Sequence, residues 1–357
     1  MSARRLIGSA SAIGGLTVLT LLAGLARNVI TADAFGASRE MDAYLIAAII
    51  PHFLLYLFGV DILRAIATTL FSGSLAAGTG NERQQLFSTL LNALLVVSVG
   101  ASILTAALMP WIVRGVAAGF SPEHHRLTAR LAYIMLPTTA LLGVGAYLAA
   151  VLNAYRRFAV PATLRIGPHL VVVVTILLLG RSWGIFSIAV GMVAGALIGA
   201  LVQLVACLRV GLRWHPVLDL RHPLVKKAAL LGLPVLLMTA MGQFGQLLQR
   251  FLGSYLSGGK ISALSYALML AGLVIRVGSE PLTTVLLPEL SAEAAIDRAQ
   301  KLASWIRRGL VANLLLMLPV TVLMLVLATD LVRIVYQRGR FDAGDTQLTT
   351  AALRVYA

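Results

Sequence analysis

Asp61 and Arg64, Gln249 and Arg250, and Arg276 and Glu280 stand inside stretches of chain that are otherwise apolar. Asp61 precedes Arg64 by three residues and Arg276 precedes Glu280 by four, so each pair can meet on one face of a helix. In "GQFGQLLQR" the side chains of Gln243, Gln246 and Arg250 fall on nearly one helical stripe. A charge at the centre of a bilayer costs on the order of 2.5 to 3.5 kcal/mol on insertion scales, so such residues normally face a bundle interior or a watery cavity and have partners. Two readings follow. The pairs can neutralise themselves and lock helices together, or three polar helix faces can line a hydrated cavity with an excess of positive charge. A cationic cavity suits an anionic ligand, and arginine forks match phosphate or pyrophosphate oxygens.

No arrangement of residues supports covalent chemistry. The six histidines (His52, His124, His125, His169, His215 and His222) lack metal-ligand spacing, and the adjacent pair at 124 and 125 would not face one site on a helix. The sequence contains no HExxH, no GxSxG elbow and no Walker loop. Cys207 is the single cysteine and has no partner for a disulfide or a metal site. Neither a metal nor a cofactor is expected. The residues by themselves indicate a carrier of an anionic or amphiphilic molecule and not an enzyme.

The elements that must position these groups are membrane helices. The chain is 59% hydrophobic and 12% charged, with a mean hydropathy of +0.89, well outside soluble-protein usage. A formal charge of +15 could suggest nucleic acid, but Lys and Arg are scattered between apolar blocks and gather on no one face. With about 20 apolar residues needed per crossing, the chain divides into nine spans and the start of a tenth. They cover residues 6–27, 42–72, 86–114, 128–152, 164–180, 184–208, 228–254, 261–287 and 308–329, then from 347 onward. The first apolar block, after Arg4 and Arg5, is longer than the core of a secretory signal and reads as the first helix. Pro51 is a plausible bend in the long second span. Lys and Arg in alternate loops favour a cytoplasmic N-terminus. "SAEAAIDRAQKLASWIRR", Ser291 to Arg308, reads equally as a helix along the cytoplasmic interface, with Trp305 at headgroup depth, or as a solvated helix entering the ninth span. Small residues within spans, as in "GSASAIGG" and "LLGVGAYLAA", point to close helix packing. Ending inside a span reads as the front part of a longer protein.

Four segments go further. "GLARNVITADAFGASREMDAYLIAAIIPHFL", "VLNAYRRFAVPA", "TTVLLPELS" and "LVRIVYQRGRFDAGDT" resemble, in order and at matching spacing, the recurring motifs of the MviN/MurJ family of lipid II flippases, within the multidrug/oligosaccharidyl-lipid/polysaccharide exporter superfamily. The resemblance implies two six-helix lobes around a central cavity and alternating access that moves an undecaprenyl-pyrophosphate-linked precursor outward. It also implies functional roles for Arg27, after "G-x-A" in the first span, and Asp42, in "D-A-[FY]" at the second. Three arginines of the family pattern fall on Leu21, Leu55 and Met269, which leaves Arg64, Arg250 and Arg276 to replace them from other turns. A family position linked to cation binding aligns with Gln249.

The expected architecture is therefore an all-α polytopic bundle of the MurJ/MATE kind, with residues 1–222 as an N-terminal six-helix lobe and 223–357 as an incomplete second lobe. The expected function is a flippase for a polyprenyl-pyrophosphate-linked glycan precursor at the bacterial inner membrane, acting as a monomer with lipid substrate and membrane lipids as its partners and no nucleic acid. The expected substrate-binding residues are Arg27, Asp42, Asp61, Arg64, Gln249, Arg250, Arg276 and Glu280. An exporter of small amphiphiles, as in the multidrug branch, and a non-transporting membrane scaffold are the alternatives.

Overall fold

The computed structural model describes residues 3–57, 67–68, 71–73, 80–217, 239, 241–295 and 299–357. Eleven named helices run as α1 Ala3–Phe35, α2 Arg39–Leu57, α3 Gly80–Val116, α4 Pro122–Met135, α5 Pro137–Ala154, α6 Ala159–Trp183, α7 Phe186–Arg209, α8 Lys260–Ala295, α9 Ala299–Val326, α10 Ala328–Tyr336 and α11 Ala343–Tyr356. A further helical stretch occupies 241–254. Among the described residues, seven helical stretches are long and apolar enough to cross a membrane. Their outer faces carry large apolar side chains, with Leu178 74% and Leu315 71% exposed. In water such faces would be a liability; against acyl chains they need no cover.

The described contacts divide the chain into two compact units, 1–31 with 39–257 and 32–38 with 258–357. In the first unit α7 packs along α6 and against α5, while α2 packs on α4 and α3 on α5. The α6–α7 seam depends on small residues one turn apart. A Cβ added to Gly195 would stand 2.8 Å from Pro168 Cα, and one on Gly199 would stand 2.7 Å from Leu164 Cδ1. This Gly-xxx-Gly ridge lets two backbones approach where no hydrophobic effect drives them together. A buried cluster around Phe71, Phe87 and Tyr147 ties α3 to α5, and the Tyr147 hydroxyl donates to the Phe87 carbonyl at 3.0 Å. The stretch 241–254 belongs to this unit: Ser254 Oγ accepts from Gly119 N at 3.0 Å, and Arg39 Nη1 donates to the Leu256 carbonyl at 3.0 Å.

In the second unit α8 packs against α9 and α11. The end of α1 is fastened there. Ala37 N donates to Asp345 Oδ2 at 2.9 Å, Arg340 N to the Asp33 carbonyl at 2.8 Å, and Tyr266 Oη to the Gly36 carbonyl at 3.3 Å. Tyr266, Tyr336 and Phe341 form an aromatic trio beneath, with centroids 5.0 to 5.7 Å apart. Gly36, at φ +62°, lies so close to Arg340 and Asp345 that a Cβ would meet the Arg340 carbonyl oxygen at 2.5 Å. Only glycine supplies both that backbone and that clearance. Asp342 starts α11 as its N-cap, accepting from Asp345 N at 2.9 Å.

Several expectations change. The first helix does not stop at residue 27 but runs to Phe35, because "NVITADAF" continues it without a breaker, and Arg27 lies two turns inside. The fourth span is two helices, α4 and α5, divided at Leu136 because Pro137 has no N–H to continue the ladder. Ser121 and Pro122 start the first of the two as N-cap and N1. Within Ser291–Arg308, α8 extends to Ala295 and the helix from Ala299 onward runs into the ninth span as α9, in line with the second of the two readings. α2 continues helically through Pro51, and the rest of the second span, with much of the seventh, lies outside the described residues.

Replacing Gly195 by Val should destabilise the protein by about 1 to 3 kcal/mol through overpacking of the α6–α7 seam, read as a lower unfolding midpoint in detergent. Burial first, then the charge of Asp342, raises the Asp345 carboxyl above its ordinary value, against the lowering effect of hydrogen bonds from the backbone of Ala37 and Asp342. The folded state thus holds this proton more tightly than the unfolded chain. The group's contribution to stability is full below the ordinary carboxylate value and is lost as pH rises through the raised folded one. Thermal unfolding across that range should show the midpoint falling with pH, and Asp345→Asn should flatten that slope.

Candidate functional site

Arg27 stands half-buried on α1, which carries no other cation or anion between it and Gly15. Its described side-chain hydrogen bond goes to Asn28 Oδ1 at 3.0 Å, a neutral amide, so this bond orients the guanidinium without cancelling its charge. One turn later Thr31 Oγ1 donates to the Arg27 carbonyl at 2.8 Å, which satisfies a hydroxyl locally within the helix. The charge of Arg27 acts on Tyr44 and His52 of α2 and on His169 of α6, polar groups on two other helices of the first unit. The Tyr44 hydroxyl contacts Met192 Sδ at 2.8 Å and ties α2 to α7. His52 Nδ1 lies 2.7 Å from the Ala48 carbonyl. That contact requires the proton on Nδ1, which in the neutral ring leaves Nε2 as an acceptor, suited to water or another donor rather than to an anion.

Asp42 is fully buried in the first turn of α2, where the helix dipole favours a carboxylate, and it is engaged rather than free. Gln249 and Arg250 are half-buried in the 241–254 helix, and both have partners. Gln243 of the same stripe is half-buried and Gln246 exposed. Arg276 is exposed on α8. Glu280 lies on the same helix with its side chain outside the described set, and Asp61 and Arg64 lie outside the described residues altogether. The structure therefore gathers polar groups around Arg27 and assigns Arg276 to the second unit. It places Leu21, Leu55 and Met269 as half-buried apolar side chains.

Sequence reasoning missed Asn28, Tyr44, His52 and His169. The histidines lack metal spacing, and that criterion says nothing about other roles. A signal was present: His52 follows Pro51 and His169 follows Pro168, each inside an apolar helix where an imidazole needs a polar neighbour. The donors here that can serve an anionic head group are the permanent cation of Arg27 and the Asn28 amide N–H, and the residues offer no nucleophile set for bond cleavage.

The family model for the lipid II flippase MurJ matches residues 31–357. A probable lipid II flippase MurJ of Rhizobium tropici is 27% identical over 362 residues, covering 96% of this chain and 66% of the relative. The lipid II flippase MurJ of Burkholderia cenocepacia is 26% identical over 367 residues, covering 96% and 68%. The chain thus spans about two thirds of the length of these relatives. Among solved structures, a lipid II flippase MurJ in an inward closed conformation superposes with a TM-score of 0.81 at 23% identity, over 96% of this chain and 71% of that one. An inward-facing MATE family multidrug resistance transporter gives 0.74 at 15% identity, over 94% and 76%. These likenesses show the fold.

Proposed function

The chain belongs to the lipid II flippase MurJ family, and from that premise we propose that it takes part in moving a polyprenyl-pyrophosphate-linked glycan precursor, lipid II or a similar unit, across the bacterial inner membrane. The observation that carries the reading is Arg27: a guanidinium inside an apolar helix, oriented by a neutral amide, whose charge reaches His52 of α2 and His169 of α6. Such a cation is expensive in hydrocarbon and is retained where water or an anion reaches it. Its planar fork matches the oxygens of a pyrophosphate. Passing a tethered head group through a hydrated cavity needs binding and release but no bond cleavage, in keeping with the side chains around Arg27.

In this reading residues 1–222 form one lobe and 223–357 begin the other, with the N-terminus cytoplasmic and the protein working as a monomer on lipid alone. The segment after α7 is stapled to α3, where Asn92 Nδ2 donates to the carbonyls of His215 and Val217 at 2.8 Å each and the Trp214 indole donates to Asn92 Oδ1. Asp42, Asp61, Arg64, Gln249, Arg250, Arg276 and Glu280 complete the proposed substrate path. A scaffold without transport draws support from the apolar residues at 21, 55 and 269.

Translocation of a fluorescent lipid II analogue by the full-length protein in proteoliposomes separates the two. Losing a charge-assisted pair in Arg27→Ala should slow transport by about tenfold or more. Joint replacement of Arg276 and Glu280 by apolar residues should also reduce it, whereas a scaffold would tolerate that double change. No transport by a folded protein, beside an active relative, would remove lipid II as cargo.

A further inference from the structure

The second unit contains a groove of about 290 Å³ between α8 and α9 that holds none of the site residues above. Its walls are Leu282, Leu286 and Leu290 on one side and Trp305, Ile306 and Leu310 on the other. Gly309 lets the helices close at its floor, since a Cβ there would stand 2.6 Å from Leu286 Cδ1. One end is polar and shut: Ser279 Oγ donates to Asn313 Oδ1 at 2.8 Å. From that pair to Trp305 is two turns of helix, about 12 Å.

The mouth is cationic. The Arg308 guanidinium lies over the Trp305 ring, 5.9 Å from its centroid. Lys301 is one turn before Trp305, and Lys301, Arg307 and Arg308 are all exposed. Across the seam the half-buried Glu293 carries a carboxylate whose Oε2 finds no hydrogen-bond partner among the described residues. Along this end of α9 the cations Lys301, Arg307 and Arg308 outnumber the one described carboxylate, Glu293 of α8. Tryptophan at such a level, with Lys and Arg beside it, marks the boundary between acyl chains and head groups.

We infer that the α8–α9 groove binds one acyl chain of an anionic phospholipid, with the lipid phosphate seated on Lys301 and Arg308. The apolar depth selects a lipid over a soluble phosphate. The excess of positive charge selects an anionic head group over a zwitterionic one. The length, closed by Ser279 and Asn313, fits the upper part of a single acyl chain and is too short for a long polyprenyl tail.

The test uses Trp305 as its own reporter. The protein is reconstituted in phosphatidylcholine vesicles, and phosphatidylglycerol or phosphatidylcholine brominated along the acyl chain is added at rising mole fraction. Emission lost from the protein but not from its Trp305→Phe variant is the signal from the groove. Half-quenching should need about tenfold less brominated phosphatidylglycerol than brominated phosphatidylcholine. The combined variant Lys301→Gln, Arg307→Gln, Arg308→Gln should lose that preference, and Leu310→Phe should weaken quenching by narrowing the groove, with unchanged helical circular dichroism in both. Equal quenching by the two lipids, or a preference that survives the triple change, overturns the proposal. Neither outcome depends on transport of any cargo.

Discussion

A polar group left unpaired in hydrocarbon costs several kcal/mol, and an ionised one more. That single constraint shapes the protein at every level. It forces the backbone into helices, which satisfy their own N–H and C=O groups. It sends hydroxyls such as Thr31 and Thr175 back to carbonyls one turn earlier in their own helix. It also makes the few remaining charges informative, since each must have found water, a partner or a ligand. Arg27 is the one whose surroundings are best described. A neutral amide aims it and polar groups on two other helices share its field, so its charge is oriented but not cancelled by that bond.

The same constraint explains the packing. In lipid, apolar side chains gain little by leaving their surroundings, so helices associate where their shapes allow close approach. The glycine ridge of α7 against α6 supplies this in the first unit, and Gly309 of α9 against Leu286 in the second. Hydrogen bonds join elements both near helix ends, as Gly119 with Ser254 in the first unit and Ala37 with Asp345 in the second, and within them, as Ser279 with Asn313. The fastening of residues 32–38 to the start of α11 and the turn before it places the end of α1 among the contacts of the second unit.

Helical class and most span positions were legible in the sequence because apolar runs of spanning length have few alternatives. Boundaries were less so. The first apolar run breaks at Arg27, yet the helix continues to Phe35, with the guanidinium oriented by the neutral Asn28 amide. Pro137 divides α4 from α5 although the apolar run gives no sign of it, because hydropathy does not register a missing N–H. At the site, Arg27 was found through motif resemblance, while Tyr44, His52 and His169 were not, since the action of the Arg27 charge on them is a relation between helices. The i,i+3 and i,i+4 rules see partners within one helix and are blind to those across helices.

Binding of the head group is the most direct measure of the central claim. Calorimetric titration of the full-length protein with a short-chain polyprenyl pyrophosphate should give saturable binding that weakens with salt and falls by about tenfold or more in Arg27→Gln. Arg27→Gln binding as tightly as the unaltered protein would contradict the account, since the cation inside α1 would then serve no anion.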